Sequence, residues 1–149
     1  MSLILKLATI DDTDTVVELV RLYHAFEAIE FREQATTEAL RPLLQHGDAG
    51  GIWLIELAGS TIGYIALCFG YSIELGGRDA FIDELFILEE HRGRGVGKTV
   101  LEEIQSKARE RKVKALHLEV ERSNDRARKL YRSLGFASRE RFHLMTCTL

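Results

Sequence analysis

The octet Arg92-Gly93-Arg94-Gly95-Val96-Gly97-Lys98-Thr99 decides how this chain is read. Before it runs the apolar, strand-like segment Ala80-Phe81-Ile82-Asp83-Glu84-Leu85-Phe86-Ile87-Leu88. After it, residues 100–111 read as a helix. Three alternating glycines therefore strip side chains from a loop at a helix start. Backbone N–H groups there lack partners and carry the positive end of the helix dipole. Such a place suits a phosphate or pyrophosphate, and Arg92, Arg94 and Lys98 add cationic side chains. A plain helix start with flexible glycines and no ligand is the competing reading.

Two common signatures fit the octet imperfectly. For G-x-x-x-x-G-K-[ST], Gly97-Lys98-Thr99 supply the end, but the first glycine falls on Arg92. For G-x-G-x-x-G, Gly93 and Gly95 fit, but the third glycine falls on Lys98. The spacing Arg-x-x-Gly-x-Gly is met in full by Arg92, Gly95 and Gly97.

Composition narrows the class. A chain of 149 residues, 46% hydrophobic and 29% charged, is the size of one ordinary globular domain with a substantial core. A net charge of −3 disfavours nucleic acid as the main partner. No apolar run approaches the roughly 20 residues that span a bilayer, so no membrane association is expected. Residues 1–7 do not read as a signal peptide. Cys68 and Cys147 show no C-x-x-C spacing, which points to a reducing, cytoplasmic setting. The five histidines are scattered, without metal-ligand spacing, and no metal is expected.

Working outward from the octet, elements alternate. Residues 3–8 read as a strand, 11–28 as a helix, 31–35 as a loop and 36–45 as a second helix. Residues 50–57 and 61–71 read as a hairpin joined at Ala58-Gly59-Ser60, and Gly76-Gly77 as a turn. The central strand, the glycine loop and the helix to Arg111 follow. A strand at 115–120 and a helix at 124–134, closed by Gly135, come next, with one or two final strands in 136–149. The order β-α-α-β-β-β-α-β-α-β(β) predicts a single α/β domain over residues 1–149, with helices flanking a mixed, mostly antiparallel sheet.

That order resembles the GNAT superfamily of N-acetyltransferases. The likeness in motifs runs from about Phe81 to Phe136. It rests on the Arg92-x-x-Gly95-x-Gly97 loop and on Asn124, Ala127, Tyr131, Gly135 and Phe136, which match an N-x-x-A-x-x-x-Y-x-x-x-G-F segment at every position. The resemblance implies an enzyme that moves an acetyl group from acetyl-CoA to a primary amine by direct attack, with no acyl-enzyme. A non-catalytic acyl-CoA binding or sensing module on the same fold is the alternative.

Amides of Gly93, Arg94, Gly95, Val96, Gly97 and Lys98 would hold the pyrophosphate, since side chains would block close backbone approach. Backbone groups of Leu85, Phe86 and Ile87 would pair with the pantetheine arm as an added strand. An N–H near Leu85 or Phe86 would meet the oxyanion. Asn124 and Tyr131 lie two turns apart on one helix face, with a small Ala127 between them. Asn124 serves equally as an N-cap. By resemblance Tyr131 is the acid for the departing thiolate; a phenol is protonated at neutral pH. Asp83 and Glu84 are the bases on offer, and neighbours on a strand face opposite ways, so one at most should face the site. Tyr23, Glu27, Glu30 and Glu74 would suit a cationic acceptor, though glutamates also commonly solvate a helix face. The segment 83–87 is somewhat similar to the diamine acetyltransferase branch. Family members are often dimers, so a homodimer is expected, with the terminal run 142–149 as an exchanged or pairing strand.

Overall fold

Five strands, four α-helices and two short 3-10 turns (Ile10–Asp12 and Glu89–His91) make up the computed structural model, which describes residues 2–149. In chain order the strands and α-helices are β1 (Leu3–Leu7), α1 (Thr13–Phe26), α2 (Glu33–Leu44), β2 (Gly50–Leu57), β3 (Ser60–Ser72), β4 (Gly77–Ile87), α3 (Val96–Glu110), β5 (Ala115–His117) and α4 (Asp125–Ser133). The mixed α/β architecture expected from the sequence is the one observed. The chain divides into two compact units, one ending at Leu118 and one running over Glu119–Leu149.

The first unit holds one sheet in the order β1-β2-β3-β4-β5, antiparallel except for the parallel pair β4–β5. Alternation along β2 and β3 gives it two buried faces. Ile52, Leu54, Tyr64, Ala66 and Phe86 form a core with Val16, Val17, Leu19 and Val20 of α1 and Leu40 and Leu44 of α2. Trp53, Ile55, Ile65 and Leu67 are buried on the opposite face, where Arg111 at the end of α3 stacks on Trp53. The β2–β3 connection is a two-residue turn with positive φ at both Ala58 (51°) and Gly59 (83°), the mirror-type turn that matches strand twist. Thr9 and Asp12 cap reciprocally the short 3-10 turn Ile10–Asp12 that leads into α1.

Two irregularities mark the β3–β4 ladder. A Cβ on Gly63 would lie 2.0 Å from the Phe86 carbonyl oxygen, so only glycine lets β3 approach β4 there. We expect Gly63→Ala to cost about 3 kcal/mol or more, because backbone rather than a flexible side chain must move; denaturant unfolding measures it. Further along, Ala66 pairs with Glu84 and Leu67 with Ile82, which leaves Asp83 as an extra residue, a β-bulge.

Three expectations need correction. The second helix begins at Glu33, not 36: Arg32 is the last extended residue (φ −126°, ψ 109°), and the helix formers after it continue the turn. The fifth strand ends at His117, not 120. The bulge at Asp83 bends β4 just past its last rung with β5, Phe81↔His117. No strand lies within residues 136–149: an extended run becomes a strand only when another strand pairs its N–H and C=O groups, and the sheet of the described residues contains only β1 to β5.

The second unit is built on α4. Phe136 N–H reaches the Tyr131 carbonyl (3.0 Å) and Gly135 N–H the Arg132 carbonyl (3.1 Å). With Gly135 at φ 93°, this is a Schellman ending, and Tyr131 and Phe136 meet edge to face at 5.9 Å.

Candidate active site

Gly95 is the N-cap of α3, in the left-handed region (φ 78°), and no side chain caps the helix. Val96, Gly97 and Lys98 open the helix, so their N–H groups have no carbonyl one turn back. Thr99 is the first to bond, onto the Gly95 carbonyl (3.2 Å). A Cβ on Gly95 would meet nothing within 4 Å, and Gly93, Arg94 and Lys98 are exposed. Orphan donors facing free space, flanked by cations, fit a pyrophosphate. The Val96 side chain is buried, so only its amide faces the loop.

The edge of β4 next to that loop is also open. Leu88 N–H bonds the Ile62 carbonyl (2.8 Å), which sets the ladder phase. In an antiparallel pair, Phe86 then directs its N–H and C=O at Tyr64 of β3, whereas those of Leu85 and Ile87 point away. Past Phe81, β5 no longer covers this edge. The backbone groups of Leu85 and the Ile87 N–H thus face the uncovered edge, where partners for a pantetheine arm are expected, whereas those of Phe86 turn into the β3–β4 ladder, against expectation. Arg92 also departs from expectation. Its Nε donates to the Ile87 carbonyl (2.7 Å), and its guanidinium stacks on Phe26 (4.5 Å) and Phe86 (5.4 Å). It braces the loop against β4.

The bulge overturns the expectation that Asp83 and Glu84 face opposite ways. Both carboxylates lie near Cys68, whose thiol is pushed up to about 11 by burial first and then by Asp83 and Glu84. A thiol held protonated at neutral pH makes a poor nucleophile, which agrees with direct attack by the amine. The Glu84 carboxylate accepts from Tyr64 Oη (2.8 Å) and meets His24 Nε2 (2.7 Å). Burial, and then the Glu84 carboxylate, drive the Tyr64 phenol far above its ordinary value, so it stays a donor. His24 Nδ1 is buried without a partner.

The other expected residues divide. Tyr23 packs on the rings of His24, Tyr64 and Phe86. Glu27 is the exposed C-cap of α1. Glu30 pairs with Arg32 at 3.1 Å. Glu74 sits in the turn before β4, whereas 83–87 lie at the other end of that strand, roughly 20–30 Å away at 3.3 Å per residue; it is not brought to this site. In the second unit, the Asn124 side chain accepts from Ala127 N–H (3.1 Å), so it is engaged as the N-cap. Burial raises the Tyr131 phenol. Sequence reading missed His24 and Tyr64, and the one usable signal for both was Glu84 itself, a carboxylate in an apolar strand that needs partners. Among the described residues, no group of three His, Cys, Asp or Glu is placed to hold a metal, and no helix is long and apolar enough to cross a membrane.

An orphan-amide loop beside an open β4 edge is the architecture of an acyl-CoA-dependent transferase, and comparison with known proteins agrees. The acetyltransferase (GNAT) family model matches residues 16–136. An uncharacterized N-acetyltransferase of Archaeoglobus fulgidus is 32% identical over 125 residues, 83% of this chain and 85% of that one. Thialysine N-epsilon-acetyltransferase of Bos taurus is 31% identical over 75 residues, 50% of this chain and 44% of that one. An integron cassette protein from the mobile metagenome of Cole Harbour Salt Marsh superposes with a TM-score of 0.85 at 28% identity, covering 97% of this chain and 90% of that one. The chain belongs to the GNAT acetyltransferase family and is an acetyl-CoA-dependent N-acetyltransferase.

Proposed function

We propose that the acceptor is a small cationic primary amine, of diamine or lysine-like type, and that it attacks the thioester directly. The observation that carries this reading is the bulge at Asp83, which gathers two carboxylates on one face beside Tyr23, Tyr64 and Phe86. An ammonium group is favoured by charged acceptors and aromatic faces of this kind. Glu84 has two of its roughly four acceptor positions occupied, and exposed Asp83 is free to meet the cation. The likeness to the bovine thialysine enzyme supports the same acceptor class.

Bound acetyl-CoA supplies an electrophilic acetyl thioester. Around it, the amides of Val96, Gly97 and Lys98 would hold phosphate oxygens, Leu85 and Ile87 would align the arm, and the Leu85 N–H would face the developing oxyanion. Tyr131 would return a proton to the departing sulfur. The family match runs across both units, which supports one catalytic domain over residues 1–149. Unpaired Cys68 and Cys147 suit a reducing cytoplasm, and the exposed apolar residues Phe142, Leu144 and Met145 suit a homodimer contact.

A thiol-release screen of amines tests the acceptor class. We expect turnover with diamines and lysine analogues and little with neutral or acidic amines. Asp83→Asn should raise KM for a diamine roughly tenfold, the loss of one charge-assisted contact, with KM for acetyl-CoA unmoved. An unchanged diamine KM would remove Asp83 from acceptor binding.

A further inference from the structure

A second carboxylate–imidazole pair stands at the last rung of the β4–β5 ladder. Cys68, Phe81 and His117 lie on one rung. The Phe81 and His117 rings are 5.1 Å apart, and His117 Nε2 meets Asp79 Oδ2 at 3.0 Å. Gly70 faces Asp79 across β3–β4, and a Cβ there would lie 2.7 Å from Asp79 Oδ1, so that glycine makes room for the carboxylate. An ionised carboxylate only accepts, so Nε2 carries the hydrogen and Nδ1 keeps its lone pair. Among the described residues Nδ1 has no protein partner, and unlike that of His24 it is not enclosed. An imidazole fixed through one nitrogen by a carboxylate, with the other nitrogen free, is an oriented base. It stands where β5 ceases to cover the β4 edge, on the face that holds Asp83 and Glu84. Glu84 is already engaged by His24 and Tyr64.

We propose that His117 is the general base that takes the proton from the acceptor ammonium, with Asp79 as its positioning residue. This rests on the acetyl transfer to a cationic amine proposed above. The ammonium gives one proton to His117 Nδ1, directly or through one water, and the freed nitrogen pair forms the C–N bond to the thioester carbon. As the C–S bond breaks, the sulfur takes the electron pair and gains the second nitrogen proton by way of Tyr131. His117 passes the first proton to solvent. The products are the amide, CoA thiol and one released proton. The charged or titratable groups beside His117 are Asp79, which its Nε2 meets, and, across Phe81 on the same rung, the Cys68 thiol of β3, on which Asp83 and Glu84 act in turn; on β5 its neighbour on that face is Ala115.

The test measures kcat/KM against pH, with 1,5-diaminopentane and lysine as acceptors, in the full-length protein. His117→Phe keeps an aromatic ring against Phe81. It should lower kcat/KM at neutral pH by about 100-fold and abolish the acid limb of the profile. The deficit should shrink as rising pH supplies free amine, and the thermal shift given by acetyl-CoA should be unchanged. Added imidazole should restore part of the rate to His117→Ala, which a structural role would not allow. Asp79→Asn should fall between wild type and His117→Phe. A His117→Phe enzyme within twofold of wild type with its acid limb intact overturns the proposal. So does a ring-nitrogen NMR spectrum of the wild-type protein that puts the neutral ring's hydrogen on Nδ1. A wild type that acetylates neither amine sinks the acceptor reading instead, and the NMR measurement then still decides the Asp79–His117 assignment.

Discussion

Gly95→Glu is expected to abolish stabilisation by acetyl-CoA. Saturating ligand at 1,000 times its Kd raises stability by about 4 kcal/mol, and the variant should show none of it. Three effects act together. The residue sits at φ 78°, where a side chain costs about 1–2 kcal/mol. The added bulk enters the free space in front of the orphan amides. The carboxylate then repels phosphate oxygens at short range in a site whose attraction is electrostatic. Gly95→Ala separates these effects. Its Cβ meets nothing within 4 Å, so it should lose about 1 kcal/mol of stability while keeping most of its affinity. Calorimetry on both variants reads the difference, and normal acetyl-CoA affinity in Gly95→Glu would refute the phosphate cradle.

That loop was legible in the sequence because its physics is local. Three glycines, the cations and the helix start lie within eight residues, and φ and dipole follow from chain neighbours. The same holds for the helix closed by Gly135 and for the turn at Ala58-Gly59. The phase of β4 was not legible. Whether Phe86 or its neighbours offer backbone groups depends on which β3 residue faces it, and a one-residue slip inverts the answer. The bulge at Asp83 is such a slip. It appears only when Ala66 and Leu67 are paired with Glu84 and Ile82, and it defeats the strict alternation from which one outward carboxylate was expected.

The side-chain partners were hidden for a related reason. His24 meets Glu84 across 60 residues, and His117 meets Asp79 across 38. No spacing rule covers such distances, because sheet order rather than sequence brings them together. The terminal run at 136–149 shows the converse: its composition suits a strand, but strand formation belongs to a pair. Arg92 was read as one more cation for the phosphates because its number places it in the loop. The aromatic rings of Phe26 and Phe86, from other elements, draw its guanidinium elsewhere.

Tyr131→Phe should lower kcat about 100-fold or more, within the range for loss of a general acid, while acetyl-CoA affinity changes by less than about twofold. The substitution removes one oxygen and keeps the ring that packs on Phe136 at 5.9 Å, so the Schellman ending of α4 and the fold should survive. Burial raises the phenol above its ordinary value, and the sign of that shift makes a further demand. A raised acid stays protonated to higher pH, so wild-type kcat should hold level through the alkaline range in which an unshifted phenol of pKa about 10 would begin to fail. Tyr131→Phe has no phenol to lose, so any alkaline decline that Tyr131 causes in the wild type should vanish with it. Thiol-release assays across that range measure both effects. Unchanged turnover in Tyr131→Phe would mean that the sulfur leaves without this proton, and the acid would have to be sought in water or in another side chain.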